Sequence, residues 1–176
     1  TLNLTADELV LVNQGITDGV LTREQRVDMQ EYGPKLQAFA EQRVGTVTNA
    51  AKAEGEQFLE QMANEEGSIR TTSGLVSTQI VTGTGAAPTA TDTVTVHYHG
   101  TFTDGSVFDS SVERGEPASF ALNQVIPCWT EGLQLMQVGG KSRIVCPSDI
   151  AYGDQGRPGI PPASVLVFEI DLLAIQ

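Results

Sequence analysis

The feature that most constrains the fold is a change in sequence pattern near residue 70. Residues 1–74 contain one proline and three aromatic residues, and they are rich in Ala, Gln and Glu. Residues 75–176 contain the other seven prolines, seven aromatic residues and most of the β-branched runs. The first composition favours helices and the second favours strands. We therefore expect a helical domain over residues 1–70 and a second domain over residues 71–176.

Capping signals and a long apolar stripe indicate the helices of the first domain. Thr5 is followed by Glu8, and Thr22 by Gln25, at the spacing of a capping box. Residues 34–67 begin with a proline, which suits a first helical turn, and keep apolar side chains at three- and four-residue spacing. Such a stalk helix would span about 50 Å. It is too long to bury its stripe in a small domain, so the stripe should lie on the second domain or on another chain.

The second domain has the alternating pattern of half-buried strands. Its strand candidates are residues 75–82, 93–102, 119–122, 141–146 and 164–175. Asp104-Gly105 is a strong hairpin signal, and one short helix fits between Ile126 and Val138. The predicted fold is α+β: an antiparallel sheet wrapped around one short helix, preceded by an all-α domain with a long connecting helix.

Charge and hydropathy exclude several functions. The net charge of −12 argues against nucleic-acid binding, which needs clustered Lys and Arg. No stretch approaches the roughly 20 apolar residues of a membrane span. The chain begins at Thr1 rather than Met, and we expect that a signal peptide has been removed. The two cysteines permit one disulfide or two buried free thiols, and their number does not decide between these.

Several motifs that suggest catalysis or ligation lack partners. His97 and His99 share one face of a strand, but no Cys or acidic residue stands at ligand spacing, so we expect no metal site. The segment "GTGAA" lacks the further Gly or the Lys of a nucleotide loop. No Ser-His-Asp or Cys-His arrangement is persuasive. We expect no cofactor.

Aromatic and aliphatic side chains with few polar groups are the remaining candidates. Tyr98 shares its strand face with Val94 and Val96, so its phenol points inward and needs a partner. Core packing could account for most of the set, although Asp109, between Phe108 and two serines, is awkward for packing alone. An apolar concavity with a few polar groups is the other interpretation.

Three segments resemble the FKBP-type peptidyl-prolyl cis–trans isomerases. They are "VTVHYHGTFTDGSVFDSSVERGEP", "VIPCWTEGLQLMQVGGKSRIVCPSDIAYG" and "GIPPASVLVFEIDLLAI", in the family's order. The resemblance covers about residues 75–176. The helical first part resembles, more loosely, the dimerisation domain of the bacterial macrophage infectivity potentiator and FkpA-like subgroup.

The resemblance implies roles for ten residues. Trp129 would begin the short helix and form the pocket floor, the Ile126 N–H would donate to a bound carbonyl, and Asp109 would lie near the reacting imide. The catalytic set is Tyr98, Asp109, Trp129 and Tyr152. The substrate-binding set is Phe108, Phe120, Val125, Ile126, Ile160 and Phe168.

The chain departs from the family at the pocket rim. Ala118 stands where an aromatic residue is common, Arg157 where a histidine is common, and Cys128 where a glycine is usual before the tryptophan. The "GIPP" segment is also one residue shorter than in many eukaryotic members. These differences bear on macrolide affinity and sequence preference more than on catalysis.

The resemblance also implies a disulfide, a location and partners. It places Cys128 at the helix entry and Cys146 near the end of a neighbouring strand, which favours a disulfide and hence an oxidising compartment, the periplasm or cell envelope. The expected function is prolyl isomerisation in folding polypeptides, combined with chaperone activity, by a homodimer joined through its N-terminal helices. Macrolide inhibitors are the family's other ligands. The alternative is a non-catalytic chaperone dimer that only binds proline segments.

Overall fold

The structure, a computed structural model, describes residues 4–23 and 28–176. Its helices are α1 (Ala6–Val20), α2 (Met29–Ala63), α3 (Ser111–Arg114) and α4 (Pro127–Gln134). Its strands are β1 (Ser68–Arg70), β2 (Val76–Val81), β3 (Thr93–Phe102), β4 (Val107–Ser110), β5 (Ala118–Ala121), β6 (Lys141–Cys146) and β7 (Leu166–Ile175). Among these described residues, no helix combines the length and apolar character that crossing a bilayer requires. The chain divides into two compact units, Thr1–Asn49 and Ala50–Gln176.

The first unit begins with the predicted capping box. The Thr5 hydroxyl accepts from the Glu8 backbone N–H at 3.3 Å, and the Glu8 carboxylate accepts from the Thr5 N–H at 2.8 Å. Glu8 also pairs with Arg43 of α2 at 2.6 Å. No side chain of α1 is buried. Of the second predicted capping box, Thr22 follows α1 in a left-handed conformation with φ 52°, while Gln25 lies outside the described residues.

Helix α2 differs from the predicted stalk over residues 34–67. It begins at Met29, because the Asp28 carboxylate accepts from the Gln30 backbone N–H at 2.8 Å and caps the helix. Pro34 therefore lies inside the helix, where it lacks the N–H that would bond the carbonyl four residues earlier. The helix ends at Ala63, before a turn that leads into β1.

The second unit starts within α2, at Ala50 rather than near residue 70. Leu59 and Met62 of α2 pack with Val76, Val145 and Val165 in a buried cluster. Composition changes near the end of the helix, whereas the compact unit begins inside it and includes the helical residues that pack on the sheet. This end of the apolar stripe thus lies against the second domain, which was one of the two expected alternatives.

Seven antiparallel strands form one sheet in the part of the chain that the structure describes. Six of them follow the order β1-β2-β6-β7-β3-β4, and β3 pairs with β5 in addition to β4 and β7. Strand β3 alternates as predicted, with Val94, Val96 and Tyr98 buried. The Asp104-Gly105 hairpin is confirmed: the Phe102 N–H donates to the Ser106 carbonyl at 2.9 Å, and Gly105 takes φ 83°.

Helix α4 packs its buried face into the main core that the sheet encloses. Pro127 occupies the first turn, and Trp129 and Leu133 are buried. Aliphatic side chains of the central strands, including Ile144 and Ile170, fill the same cluster. The α+β prediction, with an antiparallel sheet around one short helix, is confirmed.

Gly55 lies at a close approach between α2 and the segment before β7. A Cβ there would lie 2.6 Å from Cγ2 of the buried Val165. We expect Gly55→Leu to lower the free energy of unfolding by about 1–3 kcal/mol through overpacking, as measured by urea denaturation. Ala53→Leu, at an exposed site on the same helix, should change it by less than about 0.5 kcal/mol. Equal stability of the two variants would contradict the close approach.

Candidate active site

A cavity of about 580 Å³ opens beside α4. Its walls come from β3, β4, β5 and β7, from α4 and the residues before it, and from the segment between β6 and β7. The lining side chains are Tyr98, Phe108, Asp109, Phe120, Gln124, Val125, Ile126, Trp129, Tyr152, Arg157 and Phe168. The surface is mainly apolar, with few polar groups, which is the usual character of a small-molecule or peptide site.

Trp129 is held by three aromatic rings. The ring centroids of Tyr98, Phe120 and Phe168 each lie 5.3 Å from that of Trp129. The Tyr98 and Phe120 rings also contact each other, with their centroids 5.9 Å apart. The planes of all three cross the indole plane at 82–84°, the edge-to-face arrangement that aromatic pairs favour. The indole is therefore fixed in orientation and presents a flat surface to the cavity.

A disulfide fixes the start of α4. Cys128, next to Trp129, is bonded to Cys146 at the end of β6, with Cα atoms 5.8 Å apart. Both residues are fully buried. The bond closes a loop with a sequence separation of 18, and a loop of this size contributes about 3 kcal/mol in the chain-entropy model. The implied disulfide is confirmed, and it joins the pocket floor to the sheet.

Asp109 is explained by two partners rather than by packing. The Tyr98 hydroxyl donates to Asp109 Oδ2 at 2.5 Å, and Arg114 forms an ion pair with the same carboxylate. Arg114 Nη2 also donates to the Tyr98 oxygen at 2.8 Å. The phenol that the strand alternation places inward thus has the partner it needs, and the three polar groups form a closed triangle.

Burial and pairing act against each other on the Asp109 carboxyl. Burial alone would raise its pKa, but the Tyr98 hydroxyl and the Arg114 guanidinium outweigh burial and hold the pKa below its usual value. Burial and the hydrogen bond to Asp109 raise the pKa of the Tyr98 phenol. At neutral pH the site therefore contains a carboxylate and a protonated phenol.

Local structure places Arg114 at the triangle. Helix α3 begins where the Ser110 hydroxyl accepts from the Glu113 N–H at 3.2 Å, and Gly115 ends it with φ 76°. Ser111 of α3 is fully buried and its hydroxyl accepts from the Tyr98 backbone N–H at 2.8 Å. This short helix returns Arg114 toward the strand that precedes it.

The sequence-predicted residues mostly come together. Of the ten, all but one line the cavity: Tyr98, Phe108, Asp109, Phe120, Val125, Ile126, Trp129, Tyr152 and Phe168. Ile160, in the segment between β6 and β7, does not line it, because its side chain is buried in the main core. Sequence reasoning missed Gln124 and Arg114. No periodicity indicated either residue, since both lie in helical turns of only three or four residues.

The two histidines are directed to serines instead of to the cavity. His97 Nδ1 lies 3.2 Å from Ser111 Oγ, and His99 Nδ1 lies 2.9 Å from Ser110 Oγ. Both are only partly buried, on the strand face opposite to Tyr98. This is the face that the alternation of β3 predicts for them.

Comparison with known families accounts for this geometry. Residues 85–173 match the model of the FKBP-type peptidyl-prolyl cis-trans isomerase, and residues 5–76 match the model of the domain amino terminal to FKBP-type peptidyl-prolyl isomerase. The chain belongs to the FKBP-type peptidyl-prolyl cis-trans isomerases. The FKBP-type model covers all eleven residues that line the cavity and both cysteines of the disulfide, and it lies within the second unit.

Individual relatives cover both parts of this FKBP-type chain. It is 45% identical to the FKBP-type peptidyl-prolyl cis-trans isomerase FkpA of Aeromonas hydrophila, over 99% of the chain and 67% of the relative. It is 39% identical to the outer membrane protein MIP of Legionella longbeachae, over 93% and 73%. The crystal structure of FkpA from Escherichia coli matches with a TM-score of 0.83 and 38% identity, over 99% and 84%. The chain spans about two thirds of the length of the curated FkpA relatives it matches.

Arg114→Gln should raise the pKa of Asp109, because burial would then act without the guanidinium that opposes it. The measurement is an NMR titration of the Asp109 carboxyl carbon in the full chain. Because the folded pKa is lowered, the stability that Asp109 contributes is fully present above the unfolded pKa of about 3.9 and is lost as the pH falls through the folded value.

Arg114→Lys is the control for that titration. It keeps a cation at the triangle and should leave the Asp109 pKa lowered relative to the glutamine variant. An Asp109 titration that is identical in the wild type and in Arg114→Gln would show that the ion pair does not hold the carboxylate.

Proposed function

We propose that the chain accelerates the cis–trans isomerisation of X-Pro bonds in polypeptides. The observation that carries this proposal is a cavity with a flat indole floor, aromatic walls and one fully paired carboxylate. Membership of the FKBP-type family supports the same reaction. Proline-containing polypeptides that are unfolded or folding are the substrate class.

The physical problem is the rotation barrier of the X-Pro bond. Resonance gives the C–N bond double-bond character, and rotation costs about 18–20 kcal/mol. Water stabilises the charge separation of the planar imide, so an apolar cavity that removes water favours the twisted state, in which resonance is lost. Walls and donors that fit the twisted form better than either planar form lower the barrier further.

Each group of the cavity has a role in this mechanism. The Trp129 indole supports the proline ring, and the walls of Phe108 and Phe168 exclude water. The Ile126 N–H donates to no group among the described residues, which leaves it available for a substrate carbonyl. Tyr152, which also lines the cavity, offers its hydroxyl to the substrate, and the Asp109 carboxylate lies beside the reacting imide.

Changes at the cavity test this proposal. Phe108→Ala and Asp109→Ala should each lower kcat/KM for a short proline peptide by about tenfold or more, which is about 1.4 kcal/mol of transition-state stabilisation. Trp129→Ala should lower it at least as far. The measurement is a cis–trans assay on the full chain, with folding of each variant verified by circular dichroism.

His97→Ala is the matched control on the opposite face of β3 and should leave the rate close to that of the wild type. A large loss from this change would contradict the assignment of the reacting face. A wild-type chain that gives no acceleration would leave the alternative, a chaperone that only binds proline segments.

We also propose that the chain forms a homodimer through its first unit. Val10, Leu11 and Val20 of α1 are 63%, 68% and 78% exposed, and Ile16 and Leu36 are exposed as well. A helix without buried side chains gains little stability by itself, and exposed apolar patches of this kind indicate an interface. A second copy of the chain, with the same apolar helices, would cover this surface.

Light scattering on the full chain tests the dimer. We expect a dimeric mass at micromolar concentration, and a shift toward monomer in Leu11→Glu, because the added carboxylate would be buried without a partner. Leu135→Glu is the matched control, at an exposed leucine of the second unit, and should remain dimeric. A monomeric wild type would refute the dimer.

A dimer would present two cavities to one flexible client. Linked sites raise the local concentration of the second cavity for a client already held by the first, which supports a chaperone role beside catalysis. The buried disulfide favours an oxidising compartment, and we propose the periplasm or cell envelope. Macrolide inhibitors would compete for the same cavity, with Ala118 and Arg157 altering its rim.

A further inference from the structure

Arg157 is a cation at the cavity that forms no ion pair with an acid among the described residues. The charged residues that line the cavity are Asp109 and Arg157. Asp109 is paired with Arg114, whereas among residues 4–23 and 28–176 no carboxylate lies within ion-pair distance of Arg157. Asp154, an acid close to it in sequence, is paired with Lys52 at 2.7 Å. The Arg157 guanidinium is thus available to a ligand.

The backbone of Arg157 is fixed by a tight turn. Its N–H donates to the Ile160 carbonyl at 3.0 Å, and the Ile160 N–H donates back to the Arg157 carbonyl at 2.8 Å. Ile160 is buried in the core. Gly156 takes φ 62°, and a Cβ there would lie 2.3 Å from the Ile160 carbonyl oxygen, so the turn accepts only glycine. The backbone position from which the Arg157 side chain extends is therefore fixed before any substrate binds.

The guanidinium is oriented by Tyr152. Its central carbon lies 4.2 Å from the centroid of the Tyr152 ring, a cation–π distance, and both side chains line the cavity. A guanidinium stacked on a ring keeps its N–H donors free at its edge. Those donors match the two oxygens of a carboxylate.

The charge of the whole protein opposes this local attraction at long range. The net charge is −12, so an acidic peptide is repelled at a distance. At about 0.1 M ionic strength the Debye length is about 10 Å, which screens most of that repulsion but not a contact at the cavity. A preference for acid would therefore be a property of the cavity and not of the overall field.

We propose that Arg157 makes the cavity selective for prolyl segments that carry a carboxylate side chain, Glu or Asp, on a residue next to the proline. This inference rests on the proposed isomerase function and specifies its substrate. The carboxylate of the neighbouring residue pairs with the guanidinium while the proline ring lies on the indole. Arg157 acts here as a specificity-determining residue and takes no part in the bond rotation.

Two matched series of short peptides test the preference. One series has Glu, Gln or Lys directly before the proline, and the other has the same three residues directly after it. With the wild-type full chain at about 0.1 M salt, kcat/KM for Glu should exceed that for Gln by about two- to fivefold in at least one series, the size expected of a partly exposed charge pair, and Lys should be the poorest. The ratio should fall toward one at about 1 M salt.

Variants assign the effect to Arg157. Arg157→Gln should bring the Glu-to-Gln ratio to about one, and Arg157→Glu should make the Lys peptide the preferred one. Arg70→Gln is the matched control, because it changes the net charge equally at an arginine that pairs with Glu56 and does not line the cavity. It should keep the wild-type ratio.

Equal wild-type kcat/KM values for Glu and Gln peptides in both series would overturn the proposal, and so would a Glu-to-Gln ratio that Arg157→Gln leaves unchanged. An equal loss of kcat/KM for all peptides in that variant would also overturn it, because Arg157 would then only hold Tyr152 in place. If no peptide is accelerated at all, the isomerase function fails instead. The preference is then still tested by binding, since Trp129 is the single tryptophan and its fluorescence reports titration with the same peptides. Tighter binding of Glu than of Gln supports the proposal, and equal binding refutes it.

Discussion

The edge-to-face packing of three aromatic rings around Trp129 is the constraint on which the cavity depends. These rings come from β3, β5 and β7, so strands that are separate in sequence must pair in register before the floor exists. The packing has a cost, because Trp129 Nε1 is buried and has no hydrogen-bond partner among the described residues. An unpaired buried N–H costs about 1–3 kcal/mol, and the ring contacts and the burial of the indole offset this.

Pairing between β3 and β4 links the apolar floor to the polar triangle. Asp109 lies directly opposite Gly100 in the register, and Tyr98 stands two residues earlier on the same strand. A side chain at Gly100 would meet Phe108, since a Cβ there would lie 2.8 Å from Cζ of that ring. The glycine thus lets a cavity wall lie across the strand, and the adjacent carboxylate can reach the phenol. One register therefore sets both the apolar surface and the charge beside it.

Much of the second unit could be predicted because its signals are local. The alternation of β3, the Asp104-Gly105 turn and the short helix before Val138 each depend on a few neighbouring residues. The start of α2 could not be predicted, because the sequence offers two possible starts, Asp28 as an N-cap and Pro34 as a first-turn residue, and does not distinguish between them. The boundary at Ala50 depends on tertiary contacts of the helix. At the site, the resemblance predicted that Ile160 would line the cavity, and Ile160 does lie in the segment that supplies Tyr152 and Arg157 to it. Its side chain is buried in the core instead, because the turn between Arg157 and Ile160 sets its position.

The disulfide between Cys128 and Cys146 has a consequence for the order of folding events. Both sulfurs belong to fully buried residues of the main core, so an oxidant can reach them only while that core is open. Oxidation must then precede the final closure of the sheet over α4, or wait for the finished domain to open again. A chain that closes first would keep two inaccessible thiols. The rate of oxidant supply during folding, rather than the stability of the finished domain alone, thus decides which covalent form accumulates.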